Sequence, residues 1–186
     1  MRFSLVIPCY NEGENIPLLI NRLKRVFKDK DNEVILVNNG STDQTQEIIE
    51  KQIKGVENFK VLKIFKNIGY GHGILKGLEI ARGEILGWTH ADLQTDPNDA
   101  LKALDFFDSV KKPLFIKGLR KGRSIYDSFF TFFMSLFEMI LLGKYMKDIN
   151  AQPTIFSKSL LESWSNPPVD FSLDLYAYYT AINAQF

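Results

Sequence analysis

Short apolar runs alternate with amphipathic stretches as far as residue 123 of this 186-residue chain, and that alternation limits the fold more than any other feature. Phe3–Ile7, Glu33–Val37, Lys60–Phe65, Glu84–Trp88 and Leu114–Lys117 read as strands of the continuous-apolar kind, buried on both faces. Between them, Glu14–Phe27, Asp43–Ile53, Gly71–Ala81 and Asn98–Val110 carry helical periodicity. Asn11 with Glu14, and Ser41 with Gln44, stand at capping-box spacing. Strands and helices alternating at this spacing predict an α/β fold: a Rossmann-like, mostly parallel sheet flanked by helices and joined by right-handed crossovers. Beyond residue 123 a long apolar helix, a short strand at Thr154–Phe156 and two further helical pieces are expected, forming a C-terminal helical appendage. No repeat or Pro/Gly linker divides the chain, which reads as a single domain, 1–186, in two parts, 1–123 and 124–186.

Composition narrows the function classes. With 45% apolar and 24% charged residues the chain can bury a core, and disorder is excluded. Basic and acidic side chains nearly balance, 23 against 22, so bulk charge points to no polyanion. One cysteine, Cys9, excludes an internal disulfide framework and a cysteine zinc module and suits a reducing compartment. The opening apolar run is too short for a signal-peptide core. No window of about 18 residues is free of charge, so a spanning helix is not expected. A cytoplasmic protein, soluble or peripheral on the inner face of the membrane, is the expectation.

Charge is nevertheless uneven. From Lys111 to Lys147, eight basic side chains against Asp127 and Glu138 leave the segment at +6, and it holds six of the 15 phenylalanines. Within it, Ser124, Ser128, Thr131, Ser135 and Glu138 make one narrow polar stripe on a helix from Ser124 to Leu142, and the wide remaining face, Asp127 apart, is apolar. A membrane surface is the expected partner, met by the flanking cations. The alternatives are burial against the sheet or a second subunit in a homo-oligomer. Nucleic acid is disfavoured, because the cations are interleaved with an apolar face and not with stacking residues along a groove.

In open α/β sheets, ligands sit beyond the carboxyl ends of the strands. Three polar clusters fall there: Pro8-Cys9-Tyr10-Asn11-Glu12, Asn38-Asn39-Gly40-Ser41-Thr42-Asp43 and His90-Ala91-Asp92-Leu93-Gln94. His90, Asp92 and Gln94 alternate, so an extended segment would point all three one way. One carboxylate with an amide and an imidazole suits Mg²⁺ or Mn²⁺ whose remaining ligands are phosphates and water. Gly69, Gly71, Gly73 and Gly77 form no dinucleotide or P-loop fingerprint; they serve either a close ligand or close helix–sheet packing. Cys9 reads as a small, buried, unreactive side chain.

These motifs together resemble the inverting family 2 glycosyltransferases of GT-A fold, and particularly their polyprenyl-phosphate (dolichyl-phosphate-mannose-synthase-like) branch. VIPCYNEGENI is similar to the first-strand signature, VNNGSTDQT stands at the DDGS-type motif and HADLQTDP at the DADLQ-type metal motif. KNIGYGHGILKGLEIARGE is similar to the intervening Asn/Gly-rich helix. The resemblance implies that residues 1–123 bind a nucleotide-sugar and that 124–186 meet acceptor and membrane surface. Pro8, Tyr10, Asn11 and Glu12 would line the nucleobase and ribose pocket, with Asn39 or Asn38 reading the base edge and Lys66 joining the donor site. Asp92 and Gln94, with His90, would hold the metal, and Asp92 also the donor diphosphate. Arg120 and Arg123 would meet anionic phosphate, and Asp148 would fall at an acidic position before the acceptor segment; Asp92, Asp148 and Arg123 are the implied catalytic set.

The implied activity is sugar transfer, with inversion, from a nucleotide-sugar to a polyprenyl phosphate or a saccharide, in cell-envelope or polysaccharide biosynthesis. Asn38 and Asn39 replace acidic residues, which favours a UDP-sugar over a GDP-sugar, because an amide oxygen accepts from a uracil N3–H but lacks the charge that suits guanine's paired donors. A hydroxyl acceptor would need a general base, for which Asp148, Asp170 and Asp174 are the candidates. His90, the two asparagines and an end at Phe186, where family members continue with further sheet elements, also admit a non-catalytic nucleotide-sugar-binding subunit.

Overall fold

The structure, a computed structural model, describes residues 1–110, 112–119, 143–144 and 146–186. Arg120, Arg123 and the expected helix from Ser124 to Leu142 lie outside the described residues. Six strands form one sheet: β1 (Phe3–Cys9), β2 (Asn32–Asn39), β3 (Phe59–Ile64), β4 (Ile85–Trp88), β5 (Phe115–Lys117) and β6 (Thr154–Ser157). Their order is β3-β2-β1-β4-β6-β5, and the first four run parallel. β6 is antiparallel to β4, with Trp88 opposite Thr154, and β5 is antiparallel to β6, with Lys117 opposite Thr154. The carboxyl end of β5 therefore returns to the same sheet edge as those of β1, β2 and β4.

Seven helices complete the described chain: α1 (Ile16–Val26), α2 (Thr45–Ile53), α3 (Tyr70–Glu79), α4 (Pro97–Lys102), α5 (Leu104–Ser109), α6 (Lys158–Glu162) and α7 (Leu173–Asn183). Side chains alternate across each strand, and each face of the sheet meets its own helices. Phe3, Leu5, Ile7 and Leu36 pack with Leu19, Ile20 and Leu23 of α1 and Ile49 of α2. Val6, Ile35, Val37, Leu86 and Trp88 pack with Ile74 and Leu78 of α3 and with Leu173 and Ala177 of α7. Covering both faces explains the unbroken apolar runs of the central strands.

Two local expectations are corrected. The predicted helix Asn98–Val110 is two helices meeting at Ala103. Neither expected capping box forms: α1 starts after Asn15 and α2 after Gln44, without a side-chain cap. Asn11 and Ser41 are instead drawn into a contact between two loops, which offers their polar groups longer-range partners.

Candidate active site

An open cleft of about 370 Å³ lies at the carboxyl edge of the sheet. The chain from β1 turns to β2 on one side and β4 stands on the other, so the cleft occupies the reversal of strand order where open α/β sheets bind ligands. The end of β1 contributes Pro8, Cys9, Tyr10 and Glu12, β2 contributes Asn39, and the loop after β4 contributes His90, Ala91 and Asp92. All the expected side chains that line it come from these three places.

The first two loops are tied together. Asn11, in the left-handed region at φ 55°, donates its N–H to Ser41 Oγ at 3.0 Å and accepts from Thr42 N at 2.8 Å through Oδ1. Glu12 N donates to Thr45 Oγ1 and Gly13 N to Asp43 Oδ2, both at 3.0 Å. Desolvation works to raise the Asp43 carboxyl, but hydrogen bonds from Thr45 and from Gly13 N outweigh it and hold the pKa below the ordinary carboxylate value. Asn11 thus staples the cleft wall and does not line it.

Neighbouring residues on a strand point to opposite faces, and this separates the two asparagines. Asn38 faces α2, accepting from Ser41 N at 3.0 Å and donating to Gln46 Oε1 at 2.7 Å. Asn39 faces α3 and lines the cleft; its Nδ2 donates to Gly69 O at 2.9 Å, and its buried Oδ1 has no partner among the described residues.

After β4 the chain turns and does not stay extended. Leu93 has φ 64° and Gln94 N donates to Asp92 Oδ1 at 3.0 Å. The expected alignment of His90, Asp92 and Gln94 is therefore lost: Gln94 is exposed and outside the cleft lining. His90 Nδ1 and Asp92 Oδ2 remain together, 3.5 Å apart and each about one-third exposed (32%/32%). No group of three or more His, Cys, Asp or Glu side chains suited to a metal occurs among the described residues. One carboxylate beside one imidazole still fits a divalent ion such as Mg²⁺ or Mn²⁺ that takes its other ligands from phosphate and water.

The opposite wall is made of Gly69, which sequence reading had singled out for a close approach, and of Asn67, Tyr70 and Phe171, whose place in the cleft it missed. Phe171, 73% exposed, stacks on Tyr70 at 4.9 Å and 10°, and Tyr70 meets His90 edge-on at 5.5 Å. Burial, with the Asp174 and Asp92 carboxylates nearby, keeps the Tyr70 hydroxyl protonated far above the ordinary tyrosine range. The Gly-rich segment carried the one available signal, because its glycines admit the Phe171 loop. A Cβ on Gly69 would stand 2.2 Å from Val169 O, and one on Gly71 2.7 Å from Asp170 O. His72 N donates to the same Val169 O at 2.8 Å. Packing of protein on protein is what these glycines allow.

The remaining candidates lie elsewhere. Lys66 is exposed and outside the lining, with its backbone against Gly40. Asp148 is buried at φ 53°, its carbonyl accepting from Ala151 N, and is not part of the cleft wall. Asp174 is buried in an ion pair with Lys117 at 3.0 Å and accepts from Gln152 Nε2 at 2.9 Å. Asp170 is exposed, and hydrogen bonds from the Ser172 hydroxyl and N–H lower its carboxyl pKa. The Cys9 thiol is fully buried, and burial pushes its pKa far up, which fits an unreactive side chain.

The family model for Glycosyl transferase family 2 matches residues 4–134. An undecaprenyl-phosphate 4-deoxy-4-formamido-L-arabinose transferase of Photorhabdus laumondii subsp. laumondii is 35% identical over 102 residues, which are 53% of this chain and 31% of that protein. S. aureus TarS 1–349 in complex with UDP-GlcNAc has a TM-score of 0.61 at 27% identity, covering 87% of this chain and 47% of the other. Glucosyl-3-phosphoglycerate synthase from Mycobacterium tuberculosis, in complex with Mn²⁺, UDP and phosphoglyceric acid, has a TM-score of 0.78 at 17% identity, a likeness of fold covering 98% of this chain and 64% of that one. The chain spans about a third of the length of the curated relatives it matches. Since the match from Ser4 to Met134 takes in all three strand ends that meet the cleft, the chain belongs to glycosyl transferase family 2 and is built on the GT-A fold.

Proposed function

We propose that this chain transfers a sugar, with inversion, from a UDP-sugar to the phosphate of a polyprenyl lipid, at the cytoplasmic surface of a membrane. The observation that carries the reading is the convergence of Asn39, His90 and Asp92 in one switch-point cleft. Asn39 Oδ1 is a buried acceptor without a donor among the described residues, and a uracil N3–H is a donor of the right kind. Gly69 O fixes the amide so that oxygen is the open atom. Pro8 and Tyr10 would flank the base, and Glu12 would receive ribose hydroxyls. The lipid acceptor is supported by the undecaprenyl-phosphate transferase among the relatives.

Asp92 and His90 would hold a divalent ion against the donor diphosphate. When bound, that ion supplies Lewis-acid stabilisation of the departing UDP. The remaining work is positioning: an oxygen of the acceptor phosphate bonds to the anomeric carbon as the bond from that carbon to UDP breaks on the opposite face. That oxygen is already ionised, so no side chain has to remove a proton. The carboxylates that line the cleft are Glu12, which accepts from Asn15 Nδ2 at 2.7 Å, and Asp92.

A thermal-shift panel of UDP-, GDP- and CMP-sugars with and without Mn²⁺ tests the donor half, since a ligand that binds only the folded state raises Tm. A shift with UDP-sugar and Mn²⁺, followed by transfer to undecaprenyl phosphate, is the expected result. Stabilisation without turnover would make the chain a nucleotide-sugar binder, and tighter GDP binding would remove the uracil argument.

A further inference from the structure

The loop after β3 lies against the cleft. Phe65 is 89% exposed and Ile68 is 52% exposed, and between them sit Lys66, exposed, and Asn67, which lines the cleft. Lys63, two residues before Phe65 and on the same side of the chain, holds its ammonium 5.6 Å from the centre of the Phe65 ring. Neither Lys63 nor Lys66 has an acidic partner among the described residues.

The loop is held in place. Gly40, at φ 76°, lets the backbone of Lys66 and Asn67 come so close that a Cβ there would stand 2.3 Å from Asn67 N. Gly69 is packed in the same manner against Val169, which is itself exposed, next to exposed Phe171. Isolated apolar side chains on a surface need no explanation, but here several occur around one cleft mouth on a clamped backbone. Phe65 stands between Lys63 and Lys66 with Ile68 beyond them, and apolar tips interleaved with two such ammonium groups are the chemistry that enters the headgroup layer of an anionic bilayer: the apolar tips insert and the cations meet lipid phosphates. Anionic lipid supplies phosphate to both ammonium groups while their aliphatic stems and the apolar tips stay in the interface.

We infer that the Phe65–Ile68 loop is a bilayer-docking element that seats the cleft mouth on anionic lipid. This rests on the reading that the acceptor is lipid-borne, and it gives that reading a surface: Asn67 and Gly69 line the cleft within the same loop that touches the membrane. The loop stands at the β3 end of the sheet, the end opposite β5.

Co-sedimentation of the full chain with phosphatidylcholine vesicles containing phosphatidylglycerol, at low salt, tests it. The wild type is expected to pellet, and Phe65→Ser with Ile68→Ser to lower the bound fraction by roughly tenfold. Lys63→Gln should weaken binding only to the vesicles that contain phosphatidylglycerol. UDP affinity by calorimetry without vesicles should be unchanged in the Phe65→Ser/Ile68→Ser variant, which also reports that it is folded. Equal pelleting of wild type and double variant, or no pelleting of the wild type, overturns the assignment. So does a dimer that the double variant abolishes, because the face would then belong to a second copy. Vesicle binding lost with the loop in a protein that binds no UDP would leave the docking element standing and remove the donor reading instead.

Discussion

At the amino ends of the strands, the Glu33 carboxylate is fully buried and fully engaged. It accepts from Ser4 Oγ at 2.7 Å, Lys60 Nζ at 2.7 Å and Arg82 N at 2.8 Å, and Ser4 Oγ in turn accepts from Gly83 N. At the carboxyl ends, Asn39 Oδ1, Thr89 Oγ1 and Gln152 Oε1 are equally buried and have no partner among the described residues. Asn32 Oδ1 is the exception at the amino end. An unsatisfied buried polar atom costs about 1–3 kcal/mol, so one edge of the sheet contributes stability and the other gives some up. The open groups are at the edge where the donor is proposed to sit.

The comparison breaks most readily at Glu33. Replacing it by Ala leaves Arg82 N, Ser4 and Lys60 without their shared acceptor and is expected to cost about 3 kcal/mol in urea unfolding, with UDP affinity unchanged. Lys60 is partly exposed, so most of that loss comes from the buried hydrogen bonds and not from the ion pair. Acid probes the same group. Burial alone would raise the Glu33 carboxyl, but the bonds from Lys60, Ser4 and Arg82 bring it below its ordinary value. Its contribution is complete above the unfolded pKa, about 4.3, and fades as pH falls through the lower folded value. Stability should therefore fall more steeply in acid for the wild type than for Glu33→Gln, measured by urea midpoints across that window.

At the other edge the effects should fall on binding and spare the fold. Asp92→Ala is expected to weaken Mn²⁺-dependent UDP-sugar binding by at least tenfold, about 1.4 kcal/mol, with little change in Tm. A change below about 1 kcal/mol at saturating metal would remove Asp92 from the metal role. His90→Ala should have the smaller effect of the two. Asn39→Leu should lower UDP affinity by about 1 kcal/mol and narrow the difference between UDP and GDP, while Asn38→Leu should act on stability instead, because Asn38 holds Ser41 and Gln46. The smallest change is expected for Phe171→Ala, roughly 0.5–1 kcal/mol of donor-sugar affinity lost with the exposed face of its ring, visible as a higher KM with UDP binding intact.

Periodicity alone determined the β1-to-β4 core, because a parallel sheet covered on both faces imposes continuous apolar strands and one helix between each pair. The order of strand ends in the sequence also brought Pro8, Tyr10, Glu12, Asn39, His90 and Asp92 to one edge of the sheet, where they line a single cleft in space. Three things were decided only by the tertiary structure. Which of Asn38 and Asn39 faces the cleft depended on strand register, where a shift of one residue exchanges the faces. Gln94 left the expected row because the Asp92 turn, with Leu93 at φ 64°, ends the extended run before the third side chain can align. Tyr70 and Phe171, 101 residues apart, could not be joined by any local pattern. Their stack exists because Gly69 and Gly71 let two backbones approach, and a glycine in a sequence permits such an approach without naming its partner.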